Sequence, residues 1–141
     1  MDLTTLFGDD RLKIRTVGLI QSPEGYIFER HPEGYLFALG GKIMINESSS
    51  EALRREAQEE IGMKIHQEEL QAVIENFFQS AEGNVHEINF VFRVKDIFMG
   101  ELPEGFEAVP AGDIAAHDIR PKHLKELLVA GENSFGHYVT H

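Results

Sequence analysis

Apolar and polar positions alternate along most of this chain and switch to helical spacing in only two places. Residues 11–21 (RLKIRTVGLIQ) alternate at first and then run apolar, which predicts a strand. Ser22-Pro23-Glu24-Gly25 predicts a turn. Residues 26–30 and 35–39 predict two more strands around a turn at His31-Pro32-Glu33-Gly34. Residues 70–78 and 85–94 predict a strand pair, joined through Ala81-Glu82-Gly83-Asn84 as a hairpin. In the second of these, Ile88, Phe90, Phe92 and Val94 occupy one face, the period of a half-buried strand. Residues 107–110 suit a short strand. Residues 121–130 suit a helix, with Pro121 in its first turn and Gly131 as its stop.

The other helical stretch lies within GGKIMINESSSEALRREAQEEIGM, residues 40–63. Ser48 suits an N-cap, with Glu51 three residues on as capping-box partner. Ala52, Leu53, Ala57 and Ile61 form an apolar stripe at helical spacing, and Gly62 suits the left-handed residue that ends a helix. The predicted helix runs over 49–61. Two helices among five or six strands predict an α+β sandwich around a mixed sheet.

Composition narrows the setting. A length of 141 residues fits one domain spanning 1–141, and 42% hydrophobic with 26% charged residues is ordinary for a globular protein. No run approaches the roughly 20 apolar residues that span a bilayer, and the first residues do not read as a secretory leader. With no cysteine, disulfide and thiolate chemistry are excluded, and a cytoplasmic home is expected. The net charge of −11 opposes nucleic acid and anionic membranes as partners. It leaves room for a small phosphate substrate, provided a divalent cation stands between the two.

The predicted helix breaks a local rule. Glu56 lies three and four positions before Glu59 and Glu60, and each such like-charge pair costs roughly 0.2–0.5 kcal/mol. Glu59 and Glu60 also sit at the negative end of the helix dipole, at about 0.3–1 kcal/mol per exposed charge. A solvated acidic face is the commoner meaning of a Glu-rich helix. A bound cation would reverse the sign of each repulsion, and oxygen ligands favour Mg²⁺, Mn²⁺ or Ca²⁺ over Zn²⁺.

The spacing of the whole stretch resembles the signature of the Nudix hydrolase (MutT-like) family. Gly41 is followed by KIMIN and Glu47, then by SSSEALR and Arg55-Glu56-Ala57-Gln58-Glu59-Glu60-Ile61-Gly62-Met63, which matches the family's fixed positions. Ala57 is small for its aliphatic slot. Leu39 stands where Pro often precedes the Gly pair, and Asn46 where Gly often precedes the Glu; Asn tolerates the left-handed backbone that such a Gly supplies. Ile43, Met44 and Ile45 make the loop unusually apolar and are expected to pack under the site, the alternative being contact with a partner or a base.

The resemblance implies an α/β/α sandwich and Mg²⁺- or Mn²⁺-dependent hydrolysis of a nucleoside diphosphate linked to another moiety. It implies Glu56 and Glu60 as main metal ligands, Glu59 as a further or water-mediated one, and the Gly40 carbonyl as completing the set. It implies Arg55 and Glu47 as an orienting pair, with Gly41 and Gly62 serving the backbone path. The general base is left between Glu56 and a later acidic loop, where Glu107 matches a position that some members use; Glu101 and Glu104 share that loop. Phe77, Phe78, Phe90 and Phe92 are expected mostly in the core, and His86 at a strand-end surface. Arg15, Tyr35 and Phe37, on strands where members contact the nucleoside, receive no role. A homodimer is common among members, though no interface is legible.

Downstream markers of ADP-ribose, dinucleoside-polyphosphate and NADH hydrolases are absent from the residues 75–80 and their surroundings. By elimination the chain resembles members acting on nucleoside triphosphates, oxidised nucleotides or small nucleotide sugars. A non-catalytic nucleotide-binding module is the alternative, and the intact glutamates oppose it. An isoprenoid diphosphate isomerase wants a nearby cysteine that this chain lacks.

Overall fold

The computed structural model describes every residue except 131–134. In chain order the elements are β1 (Thr4–Phe7), β2 (Asp10–Ser22), β3 (Gly25–Arg30), β4 (Leu36–Ala38), β5 (Gly40–Lys42), α1 (Ser49–Ile61), β6 (Glu68–Gln79), β7 (Asn84–Ile97), β8 (Phe106–Val109), a 3₁₀ segment (Ala111–Ala116), α2 (Lys122–Ala130) and β9 (Gly136–Thr140). Among the described residues nine strands form one mixed sheet with the main order β4-β3-β2-β7-β6-β9, while β1 and β5 pair with β2, and β8 with β3. β2 runs parallel to β7, and β6 parallel to β9.

Three strands beyond the expected set arise from pairing rather than from pattern. β1 is short, and three of its four residues are exposed. β5 is Gly-Gly-Lys, a poor strand by propensity that forms because Arg15, Thr16 and Val17 of β2 offer it a partner. β9 takes the free edge of β6. α2 begins at Lys122, so Pro121 precedes the helix instead of standing in its first turn; its carbonyl accepts the Leu124 N–H at 2.9 Å. The stop assigned to Gly131 lies outside the described residues.

The sheet is covered on both sides. α1 lays Leu53, Ala57 and Ile61 on Ile20, Ile27, Leu39, Phe92 and Val94. On the opposite face Leu124 and Leu127 of α2, with Ile114, meet Val17, Leu19, Phe28, Ile74 and Val91. This double cover corrects the one-faced view of β7. Phe92 and Val94 are buried as expected, but so are Val85, Glu87, Asn89, Val91 and Arg93 on the other side. Buried polar groups need partners. Arg93 donates to Tyr26 Oη at 3.3 Å, Gln71 Oε1 at 3.4 Å and the Leu127 carbonyl at 3.5 Å.

Other core expectations hold only in part. Phe78 is exposed, and Phe77 is half-buried between the rings of His86 (centroids 4.3 Å apart) and His141 (4.9 Å). Of the apolar loop only Ile43 is buried; Met44 and Ile45 reach the surface.

One irregularity creates the crevice that matters below. β2 and β3 pair only at their turn, through Gln21↔Tyr26 and Ser22↔Gly25. β3 then parts from β2 to pair with β4 and β8, and β5 takes the freed edge of β2 at Arg15–Val17.

Candidate active site

Local chemistry fixes α1 at the mouth of this opening. The Ser48 Oγ accepts the Glu51 N–H at 3.0 Å, as an N-cap should. Thr16 Oγ1 on β2 donates to the Ser49 carbonyl at 2.9 Å, tying the helix start to the sheet. Gly18 lets the helix sit close, since a Cβ there would stand 2.7 Å from Leu53 Cδ1. At the other end Gly62 has φ 66°; its N–H donates to the Gln58 carbonyl, and the Met63 N–H to that of Ala57. Asn46, in the loop before the helix, takes φ 65°, the conformation for which Asn suits that slot.

Arg55 is the hub of the motif. Its Nε donates to Glu47 Oε2 at 2.8 Å and its Nη2 to Glu47 Oε1 at 3.0 Å, a two-pronged clamp. Nη2 also donates to the Lys42 carbonyl at 3.1 Å, and Nη1 to Glu56 Oε1 at 2.8 Å and Glu59 Oε2 at 3.4 Å. Glu47 Oε1 in turn accepts the Met44 N–H at 3.0 Å. The Arg55 hydrogen bonds hold the Glu47 carboxyl below the usual range, and Glu47 in turn raises the guanidinium. One arginine thus joins the loop, β5 and the outer face of α1.

Glu56 and Glu60 come together one helical turn apart. Gly41 on β5 lies against the Glu56 carboxylate, where any Cβ would collide with it. Gly40 lies equally close to the Thr16 backbone. Glu60 Oε2 is shielded from solvent and meets no hydrogen-bond donor among the described residues. Burial, then the charges of Glu56 and Glu29, push the Glu60 carboxyl up to about 8. Glu59 is the outlying member, exposed and turned to Arg55. Among the described residues no group of three or more His, Asp or Glu side chains is closed into a ready cation cage.

The donor set still suits a hard divalent cation. Mg²⁺ is commonly held by one or two carboxylates with waters and substrate phosphates, rather than by an all-protein cage. A buried carboxylate oxygen with no donor, beside a second carboxylate, matches that need. Such a cation would also offset the helix end, whose last turn carries no basic residue.

Glu107 stands apart from this cluster. Its Oε2 takes Arg30 Nη2 at 3.0 Å, and it shares a face of β8 with Val109, on the side that α2 covers. Glu101 and Glu104 are exposed loop charges. His86 stacks on Phe77, 4.0 Å from Glu75 Oε1.

Sequence reasoning passed over two carboxylates. Glu29 on β3 lies in the field of both Glu56 and Glu60, and burial raises its own carboxyl. Glu87 on β7 is buried, accepts Asn76 Nδ2 at 3.3 Å and faces Arg15 Nη1 at 3.7 Å. Alternation held the signal. Glu29 shares a strand face with the buried Ile27, and Glu87 with the buried Val85 and Val91.

Comparison with known proteins follows the same lines. No curated protein matches the chain. The family model described as NUDIX domain matches residues 8–128. Among solved structures, the MutT protein from Bacillus halodurans superposes with a TM-score of 0.70 at 19% identity, covering 90% of each chain. An ADP-ribose pyrophosphatase from Streptococcus suis gives 0.58 at 15% identity, over 89% of this chain and 98% of that one. A NUDIX hydrolase from Nitrosomonas europaea gives 0.63 at 17%, over 92% and 79%. At these identities the likeness speaks for the fold, whereas the family model covers the motif together with most of the chain. The chain with the Glu56–Glu60 pair and the Arg55–Glu47 clamp belongs to the Nudix hydrolase family, enzymes that act on pyrophosphate bonds.

Proposed function

We propose that the protein is a divalent-metal-dependent pyrophosphohydrolase of a nucleoside diphosphate linked to another moiety. The linked group would be further phosphate, as in a nucleoside triphosphate or an oxidised nucleotide, or the second half of an ADP-ribose or nucleotide-sugar type substrate. The observation that carries this reading is the buried, unpartnered Glu60 Oε2 beside Glu56 at an uncompensated helix C-terminus. Family membership supports it.

Glu56 and Glu60 would hold Mg²⁺ or Mn²⁺, with the Gly40 carbonyl and Glu59 as additional ligands. When bound, such an ion would supply charge neutralisation of the pyrophosphate, a more acidic water and help with in-line alignment. The chain's own work is to keep those ligands aimed. Arg55 fixes Glu56 from one side while Glu47 and the Lys42 carbonyl fix Arg55. Gly41 leaves the space in which the Glu56 carboxylate lies. Glu56, itself in the ligand set, is also the motif's candidate to accept the water proton. Glu107 must leave Arg30 to take that part.

The test is turnover of a nucleotide panel with Mg²⁺ and Mn²⁺, the products identified by mass. Release of phosphate, pyrophosphate or a nucleoside monophosphate from at least one member is expected. No turnover across the panel by folded protein would sink the hydrolase reading.

A further inference from the structure

Arg55 on α1 and Arg15 on β2 belong to elements that border the crevice, and they use their donors very differently. An arginine has five N–H donors. Arg55 spends its set on Glu47, Glu56, Glu59 and the Lys42 carbonyl. Arg15 makes no hydrogen bond among the described residues. Among the described residues its one ion-pair neighbour is Glu87, at 3.7 Å, too far for a hydrogen bond. Its Nε is shielded from solvent, with no partner among the described residues. A buried donor without a partner costs free energy and calls for an explanation.

Placement supplies one. Arg15 lies on β2 opposite Lys42, one residue past the Gly41 that borders Glu56. Its charge is felt by both Glu29 and Glu60. Glu87 cannot follow a displaced arginine freely, since it is buried and its other oxygen holds Asn76. A loosely held guanidinium thus lies beside a fixed carboxylate, close enough to Glu60 for its charge to be felt there, with donors to spare. Phosphate oxygens match its planar fork in two-pronged fashion, whereas an ammonium offers only a point charge.

We infer that Arg15 is a substrate-binding residue whose open donors take a phosphate oxygen of the diphosphate, and that Glu87 positions its side chain for that contact. This rests on the pyrophosphohydrolase reading but is tested apart from turnover. The probe is methylenediphosphonate, a diphosphate mimic that cannot be hydrolysed, titrated calorimetrically into protein saturated with Mn²⁺. Mn²⁺ binding alone is measured in parallel by electron paramagnetic resonance.

Arg15→Met is expected to weaken diphosphonate binding by about tenfold or more, the scale of losing a hydrogen bond to a charged group. Mn²⁺ affinity should stay equal or rise, because a cation near Glu60 has been removed. Arg15→Lys should restore only part of the loss. Should Arg15→Met strand Glu87 and unfold, the double variant Arg15→Met with Glu87→Gln removes both charges and should show the same loss. Diphosphonate affinity within about twofold of wild type in either folded variant would overturn the inference, as would absence of binding to the wild type. Wild type that binds diphosphonate through Arg15 yet turns over no nucleotide would leave this inference standing while the hydrolase reading falls.

Discussion

The face of α1 turned to the sheet buries Ala52, Leu53, Ala57 and Ile61, while the outer face stacks Glu56, Glu59 and Glu60 towards a helix end without a basic residue. Both faces belong to one thirteen-residue helix with well-formed caps at either end. On the first, each residue choice agrees with the fold. On the second, like charges neighbour one another and oppose the dipole, and one carboxylate oxygen is buried with no donor. The first face holds the second in place, and the strain of the second is what a cation would relieve. Natural chains break local rules mainly where function requires it.

Substitutions on the two faces should therefore separate activity from stability. The largest effect on activity is expected for Glu60→Gln, which keeps shape but removes a ligand charge. Turnover should fall by at least about 10²–10³-fold, the range for losing one group that stabilises developing charge. A steady-state assay on the best substrate of the panel checks it; near-normal turnover would remove Glu60 from the ligand set. Leu53→Ala on the packed face should instead cost roughly 2–5 kcal/mol of stability, because Leu53 is fully buried against Gly18 and the sheet. Chemical denaturation measures this, and Mn²⁺ affinity of the folded fraction should be unchanged.

A smaller effect should follow from Arg55→Lys. Lysine keeps the charge but cannot reproduce the fork on Glu47 while also reaching Glu56 and the Lys42 carbonyl. Groups that orient metal ligands typically matter by about 10–100-fold in metal affinity or activity. Titration of Mn²⁺ into the variant tests it; unaltered affinity and activity would reduce the clamp to an ordinary ion pair.

The two faces also differ in how they could be read from sequence. α1 was legible to its ends because its signals are local: Ser48, the apolar stripe and Gly62 lie within one stretch. β5 was not, since Gly-Gly-Lys carries no strand pattern and exists only because β2 loses β3 as a partner after two residue pairs. β1 hides in its brevity and exposure. Glu29 and Glu87 were passed over, and Arg15 was named without a role, for a related reason. Their importance depends on strands distant in sequence meeting at one crevice, and on α2 covering the face of β7 that seemed free. The motif named the glutamates of α1, but it lies outside the residues that complete the crevice around them.

The melting temperature of Glu60→Gln against wild type, across pH and with or without Mg²⁺, decides whether the Glu56–Glu60 pair awaits a cation. The Glu60 carboxyl stands at about 8 in the folded, metal-free protein, against an ordinary value of 4.5. Between those values the folded state holds a proton that the unfolded chain has released. That contribution is fully present below 4.5 and is lost as pH rises through about 8. Metal-free wild type should therefore lose melting temperature from pH 5 to pH 9 more steeply than Glu60→Gln, and should melt below the variant at pH 9. Mg²⁺ should raise the melting temperature of wild type at pH 9 and leave Glu60→Gln nearly unmoved. A variant that melts lower than wild type without metal, and gains as much from Mg²⁺, would mean that Glu60 neither strains the metal-free helix nor holds the ion.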